Sequence, residues 1–363
     1  MIVIGGGLAG LTAARELAAS GWDVLVFEKH PLPRHKVCGE YLSLEVVPYL
    51  KSAGIALEDA PGIDTFRLHS TRGNQVATHL PLGGIGISRH ALDFRLFQAA
   101  REAGASFRWE AVEGVNFSDG SFLVQTRGNT YRAAQVLGAW GKRSAMDRVL
   151  HRPFFSQSSP WMGIKIHFEA AYPDNEVGLY SFRGGYGGLS VTETGAVNFC
   201  YLIHRDRFRE SGDPMACTME LIREQPGLKK TLGGAKPLFE KPLSISNLFF
   251  GKKQLQSDCV LMGGDAARLI HPLCGNGMAM AIETGRLQAR LTGQWLQGDF
   301  PGQEALLQEF QTTWKRKFSR RLHTGTRLQR LLTGTTGLEF SLWLAARFPG
   351  LLRRIIRNTH GTP

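Results

Sequence analysis

Three glycines near the start of the chain constrain its fold more than any other feature. Ile2-Val3-Ile4 is a short β-branched run ending in Gly5-Gly6-Gly7, and Leu8–Ser20 then places small and apolar residues at helical spacing. Gly21 stops that helix, and Asp23–Phe27 forms a second apolar strand closed by Glu28, eighteen residues beyond Gly10. Gly5-x-Gly7-x-x-Gly10 thus lies between strand and helix in a βαβ unit covering residues 1–28, the context a dinucleotide fingerprint requires. Gly5 permits the tight turn, Gly7 lets backbone N–H groups approach a pyrophosphate, and Gly10 lets the helix pack closely on the strand. The helix N-terminus offers partial positive charge to the phosphates. Glu28 is placed to accept hydrogen bonds from ribose hydroxyls, and Lys29 joins it as a candidate cofactor-binding residue.

Beyond this unit the pattern alternates between two kinds of structure. Ala91–Ala103 has helical periodicity, Ser106–Val112 is strand-like, and Val115–Phe117 and Phe122–Thr126 flank the turn signal Asp119-Gly120 as a hairpin. Ala134–Ala139 is another apolar strand, Cys259–Gly264 returns as a strand, and Gly277–Leu296 follows as a helix. Asp64–Leu80 and Trp161–Arg205 look antiparallel, the latter with glycine-rich turns at Gly184–Gly188 and Gly195, and they predict a separate inserted sheet. The expected architecture is α/β: a doubly wound, Rossmann-like nucleotide domain, an inserted antiparallel β-sheet substrate domain and a C-terminal helical segment. Its expected parts are residues 1–63, 84–150 and 250–300, then 64–83 and 151–249, then 301–363.

A second motif bears on which dinucleotide binds. Gly263-Gly264-Asp265-Ala266-Ala267 leads to His271-Pro272-Leu273-Cys274-Gly275-Asn276-Gly277-Met278. This resembles the second FAD motif of the flavoprotein monooxygenase (p-hydroxybenzoate hydroxylase-like) and geranylgeranyl reductase superfamily. The resemblance implies FAD, with Asp265 on the ribityl chain and Gly275, Asn276, Gly277 and Met278 opening a helix beneath the isoalloxazine. The physics agrees, because N–H groups at a helix start stabilise the negative charge of reduced flavin. Three further segments match over residues 1–295. Lys36-Val37-Cys38-Gly39-Glu40 looks like the Lys-x-Cys-Gly stretch of reductase-type members, lying along the flavin. Ser88-Arg89 with Leu92-Asp93 is similar to the segment that places an arginine near the cofactor. Tyr180–Leu189 resembles an aromatic, glycine-rich strand facing the flavin, though its glycines also suit a simple hairpin.

Gly138-Ala139-Trp140-Gly141 falls where the family has an Asp-Gly motif, with Trp140 in the place of the acid. Since that segment contributes to NADPH binding in hydroxylases, NAD(P)H is expected only as a transient electron donor. The chain has no Trp-x-Trp-x-Ile-Pro segment, which counts against halogenation. Cys38 is a candidate catalytic thiol with Lys36 beside it to lower its pKa, or else a small packing residue. His271 is a candidate proton carrier at neutral pH, or a loop histidine holding its own turn. Glu40 and Tyr41 could line the substrate cavity.

Five scattered cysteines without a Cys-x-x-Cys pair argue against a metal centre or disulfide framework and fit a reducing cytoplasm. No apolar run nears the ~20 residues of a membrane span. The net charge is +12, yet Phe310–Pro363 alone holds eleven basic residues and one acid, Glu339. Such a tail can bind an anionic membrane surface or an acidic carrier protein, or dock its apolar side on the body. Nucleic acid is a poor partner, because the body is near neutral and no recognition motif accompanies the charge. The expected function is FAD-dependent redox chemistry on an apolar, lipid-like or carrier-bound substrate, by hydroxylation with O₂ or double-bond reduction. A non-catalytic flavin-binding protein and an NAD-dependent dehydrogenase are the competing classes, although the latter leaves Gly263–Met278 unexplained.

Overall fold

The computed structural model describes residues 1–272 and 275–332, with side chains through residue 325. Leu273, Cys274 and the apolar stretch Leu338–Ile356 lie outside the described residues.

The βαβ start forms as the spacing predicts. Strand Ile2–Ile4 sits inside a six-stranded sheet, with Leu25–Phe27 and then Ser106–Arg108 on one side. On its other side lie Val136–Gly138, Val260–Met262 and the short Gln256–Ser257. All pairings are parallel except the last. The chain leaves Ile2–Ile4 toward one neighbour and returns on the other, so the crevice at this strand's carboxyl end is the natural ligand position of a doubly wound sheet. A Cβ on Gly5 would strike the Ala139 carbonyl across that crevice, and φ of +113° there is left to glycine. Helices Leu8–Ala19 and Gly277–Leu296 pack closely, because a Cβ on Gly285 would collide with the Ala9 carbonyl. The hairpin at Asp119-Gly120 joins Val112–Ser118 to Ser121–Thr126, and Thr130–Ala133 completes a small antiparallel sheet. Its Phe122 and Val124 bury against Val136 and Leu137.

A nine-stranded sheet holds both antiparallel regions. Its order is Lys236–Pro237, Trp161–Glu169, Val197–His204, Gly185–Val191, Glu176–Phe182, Gly62–His69, Gln75–Gly86 and Tyr41–Ser43, with Leu243–Ile245 also on Trp161–Glu169. One pairing departs from the antiparallel expectation: Glu176–Phe182 runs parallel to Gly62–His69. The two strands come from distant parts of the chain, so no tight turn dictates their direction. Strand alternation gives this sheet two different faces. Ile164, Ile166, Phe168, Phe199 and Tyr201 bury beneath helices Pro214–Glu224 and Pro226–Leu232. Lys165, His167, Asn198 and Cys200 alternate with them on the opposite face.

Helix Gln303–Leu332 opens the C-terminal segment. Its Leu306, Phe310, Trp314, Phe318 and Leu322 follow one face and enter the nucleotide-domain core. Phe310 and Phe318 are fully buried, each contributing about 2–3 kcal/mol of apolar transfer. Lys317 pairs with Glu283 and Arg321 with Glu45, so two basic groups of this segment serve internal ion pairs.

Candidate functional site

The glycine loop is shaped around space. A Cβ on Gly10 would run into the Gly5 carbonyl, whereas one on Gly7 would meet only an Arg89 guanidinium nitrogen, at 3.8 Å. Gly7 also caps Leu8–Ala19 without a side-chain hydrogen bond. An uncovered helix N-terminus with an arginine alongside fits a diphosphate. Glu28 closes the loop from the other side: its Oε2 accepts the Gly6 N–H at 2.8 Å, and its Oε1 accepts the His30 N–H at 3.1 Å. Arg34 lies 3.3 Å from the same carboxylate. Lys29 is exposed beyond the strand end.

Arg89 begins helix Arg89–Glu102, which Ser88 caps by accepting the Ala91 N–H at 3.0 Å. Its guanidinium grips Asp93 through Nε at 2.6 Å and a second nitrogen at 2.9 Å. Lys36 reaches the same carboxylate at 2.6 Å and the Gly6 carbonyl at 3.4 Å. Burial opposes the Asp93 charge, but Arg89 and Lys36 outweigh it and hold the carboxyl below its ordinary range. Burial lowers Lys36 despite the Asp93 charge. The ammonium thus joins Asp93 to the glycine loop.

The second motif meets the first. Met278 buries in one cluster with Leu8 and Leu11 of the fingerprint helix, and Cys38 packs against that cluster. Gly275 takes φ of +58° and donates its N–H to the Pro272 carbonyl at 2.9 Å, turning the chain into helix Gly277–Leu296. Asn276 caps that helix without a side-chain cap bond, and its amide lies 3.4 Å from Glu45, the partner of Arg321. Asp265 sits in a single helical turn, Gly264–Ala266; burial opposes the Arg89 charge, Asp93 outweighs it, and Cys38 and Asp265 add to that effect. Two cations support this loop. Arg152, buried with Asp147 at 2.7 Å, donates to the Ala266 carbonyl at 3.0 Å, and Lys253 donates to the Asp265 carbonyl at 2.8 Å.

His271 stacks on Phe250 with ring centroids 4.2 Å apart. Burial, helped by Arg268, holds it down to about 4. Burial therefore favours the uncharged imidazole at neutral pH. Trp140, at the position of the family's acid, donates its Nε1–H to Asp147 at 3.0 Å.

Segment Lys36–Glu40 is fastened to the inner sheet face. Asn198 donates to the Cys38 carbonyl and Ser190 to the Gly39 carbonyl, both at 3.2 Å, while Lys142 donates to the Val37 carbonyl at 3.1 Å. The Cys38 thiol accepts the Glu40 N–H at 3.5 Å. Glu40 is fully buried at φ of +56°, a conformation that a non-glycine residue adopts only when its surroundings impose it. Its Oε1 accepts the Arg89 backbone N–H at 2.7 Å and a short contact from Lys165, while its Oε2 lies 2.8 Å from His167 Nε2. Burial favours the neutral acid, but His167 and Lys165 prevail and keep Glu40 below its ordinary range. The sequence offers Glu40 only a place lining the cavity and does not point to Lys165, His167 or His35 as its partners. The available signal for the first two was a pair of polar residues, two apart, inside strand Trp161–Glu169, whose one other polar residue is its last.

Together the doubly wound sheet, the open glycine loop, the Asp265 turn and the helix start at Gly277 define a flavin-dependent oxidoreductase. The chain belongs to the FAD binding domain family, whose model matches residues 1–313. It is 29% identical over 325 residues to a menaquinone reductase of Mycolicibacterium smegmatis, covering 80% of this chain and 75% of that protein. It is 26% identical over 356 residues to a digeranylgeranylglycerophospholipid reductase of Thermoplasma acidophilum, covering 88% and 84%. Among solved structures, a geranylgeranyl bacteriochlorophyll reductase-like protein of Thermoplasma acidophilum superposes with a TM-score of 0.76 at 22% identity, covering 92% of this chain and 87% of that one. The flavin-dependent brominase Bmp2 gives 0.79 at 18%, covering 99% and 92%. At these identities the two structures establish the fold alone. No described helix is long and apolar enough to cross a membrane.

Proposed function

We propose that this FAD-dependent oxidoreductase saturates a carbon–carbon double bond in an apolar, isoprenoid-like substrate. The observation that carries the reading is the fastening of Lys36–Glu40, with its thiol, against a sheet face that becomes apolar beside it. On that face Tyr186, Leu202 and Leu248 cluster with Leu269 from the second motif, and Leu179 and Phe250 pack against them. An apolar face of this kind suits a hydrocarbon chain and offers it little to hydrogen-bond. The reductase names of the two curated relatives support the same chemistry.

Bound FAD supplies the hydride chemistry. The chain's own residues hold and orient it: Gly5, Gly7, Gly10 and Arg89 would take the diphosphate, Glu28 the adenosine end and Asp265 the ribityl chain. Gly275, Asn276, Gly277 and Met278 would set the helix N-terminus near the ring's negative end. Cys38 is assigned to the ring's neighbourhood. NAD(P)H would serve as a transient donor. The basic tail would bring the enzyme to an anionic membrane surface, or to an acidic carrier of the substrate.

Anaerobic reoxidation tests the reading. Photoreduced enzyme mixed with a polyprenyl alcohol, which carries no quinone ring to accept electrons, should regain the oxidised flavin spectrum at a rate that rises with its concentration. Reduced flavin that persists with every polyprenyl compound tried, yet reoxidises on admitting O₂ with an aromatic substrate, would contradict it.

A further inference from the structure

The inner sheet face carries charge as well as hydrocarbon. Lys165 is opposite Cys200 in the register, and His167 is opposite Asn198. Asn198 holds the Cys38 carbonyl, whereas Leu202, two residues beyond Cys200, packs in the cluster with Leu269. Lys165 and Cys200 therefore lie on the stretch of sheet between the Cys38 segment and the second cofactor motif. The Cys200 thiol is pushed up to about 12 by burial and the nearby Cys38, so it stays protonated and does not compete as a base.

From Lys165 a line of titratable groups leads outward. Lys165 contacts Glu40 Oε1, and Glu40 Oε2 lies 2.8 Å from His167 Nε2. The His167 ring meets His35 edge-on with centroids 5.2 Å apart, and His35 stacks on His90 at 4.8 Å. Phe239 flanks both His35 and His167, at 4.7 and 4.8 Å, and isolates them from other polar groups on that side. Exposure rises along the line: Glu40 and Lys165 are fully buried, His167 is nearly so, and His35 and His90 are half-buried. The remaining charged or titratable groups around His167 and Glu40 are Cys38, Cys200 and Arg89, the last bonding Glu40 only through its backbone N–H.

We propose that His90, His35, His167, Glu40 and Lys165 form a proton path from the surface to the inner sheet face, with Lys165 as the proton donor at its inner end. This rests on the double-bond reading. In that reduction, hydride from the reduced flavin forms one new C–H bond, and the broken π bond supplies the electron pair for a second C–H bond to the Lys165 proton. The substrate gains two hydrogens and the flavin returns to its oxidised form. Lys165, left as an amine, recovers its proton from His167 through Glu40, and His167 is refilled from His35 and His90. The steps Lys165–Glu40 and Glu40–His167 each span a hydrogen bond, and the His35 donor atom lies within 4.8 Å of those of Glu40 and His167, a gap that one water would bridge, with His90 stacked on His35 at the outer end.

The same His35, Glu40 and His167 donor atoms lie within 4.8 Å of one another and have the composition of a metal site. The Lys165 ammonium on Glu40 favours the proton path, because a second cation there would face an unscreened like charge.

Two measurements on the FAD-loaded protein decide it. In the first, NMR of isotope-labelled histidine follows the imidazoles with pH. The path predicts that His35 stays neutral to about pH 4 and that the His167 ring-nitrogen resonances shift in Glu40→Gln and again in Lys165→Met, because each change alters the hydrogen bonds that link these groups. His167 resonances alike in all three proteins overturn the path, as does tight binding of Zn²⁺ or Fe²⁺ that His35→Ala and His167→Ala both abolish. The second measurement is substrate turnover in His167→Ala. Saturation should slow by about tenfold or more, fall further as pH rises, and recover on adding imidazole. An unchanged rate, or a slow rate that neither imidazole nor pH alters, overturns the path. A wild type that adds oxygen in place of hydrogen overturns the double-bond reading instead, and the NMR result still decides whether the groups are linked.

Discussion

Arg321 closes on Glu45 through both guanidinium nitrogens, at 2.7 and 3.0 Å, and Glu45 in turn lies 3.4 Å from the amide of Asn276 at the start of the second cofactor helix. The C-terminal helix is thus tied to the cofactor loop by a partly buried ion pair. Arg321→Ala should cost about 1.5–3 kcal/mol, the usual worth of a hydrogen-bonded charge. The shift in thermal midpoint should be larger with FAD bound than without, because the lost contact supports the loop. Equal midpoints for variant and wild type would show that the pair is idle.

The glycine loop separates folding from cofactor binding. Gly7→Val should leave the protein folded, since the nearest atom to its Cβ is the Arg89 guanidinium at 3.8 Å, but colourless, since the side chain fills the diphosphate's space. Gly10→Val should fail at the earlier step, because its Cβ meets the Gly5 carbonyl. Circular dichroism and flavin absorbance distinguish the two outcomes. A yellow, FAD-saturated Gly7→Val would remove the loop from the cofactor site.

Cys38→Ser should retain FAD and change the rate of substrate-driven reoxidation, since the side chain packs against the cluster shared by Leu8 and Met278. Kinetics indistinguishable from wild type would leave the thiol as packing alone.

Acid should weaken the fold partly through His69, which is buried against Tyr180 with ring centroids 4.2 Å apart. Burial, with Arg67 nearby, holds its pKa down to about 4. Between that value and the unfolded pKa of about 6.5 the unfolded chain binds more protons. Its contribution is therefore complete above about pH 6.5 and is lost as pH falls toward about 4, on the order of 3 kcal/mol at most. Denaturant unfolding at several pH values should show a flatter acid limb for His69→Gln. Parallel limbs would contradict the assignment.

Much of this was legible where the deciding interactions are local. The Gly5–Gly10 loop, the turn at Asp119-Gly120 and the alternation in Trp161–Glu169 each depend on residues close in sequence, and spacing reveals them. Asp93, Glu40 and Lys165 depend on partners far along the chain: Lys36 is 57 residues from Asp93, and Lys165 is 125 from Glu40. A charge's partner across two domains leaves no periodic trace. The basic groups of Trp314-Lys315-Arg316-Lys317 and Arg320-Arg321 were visible ahead of the apolar stretch Leu338–Ile356, but a membrane and a protein core ask for the same apolar stripe. Leu306, Phe310, Trp314, Phe318 and Leu322 are in the core, while Leu338–Ile356 lies outside the described residues.

The remaining basic charge extends beyond the described residues, and its role is open to a direct assay. The intact protein should bind anionic vesicles, or an acidic carrier, at low ionic strength and lose them as salt rises, each basic group contributing about 1 kcal/mol at a charged bilayer. Deleting Thr336–Pro363 should weaken this without unfolding the FAD domain. Failure to bind either target at low salt would confine the tail to a structural role.

Hydride addition to a double bond leaves a lasting change in the product's mass. Anaerobically reduced enzyme is given one equivalent of a polyprenylated quinone, the extract is then exposed to air so that any ring-reduced quinol returns to the quinone, and the product is weighed by mass spectrometry. Saturation leaves a quinone heavier by two hydrogens in its side chain, from a reaction run without O₂. Recovery of a quinone with an intact side chain, together with an oxygen-containing product that appears only when O₂ is admitted, would contradict it.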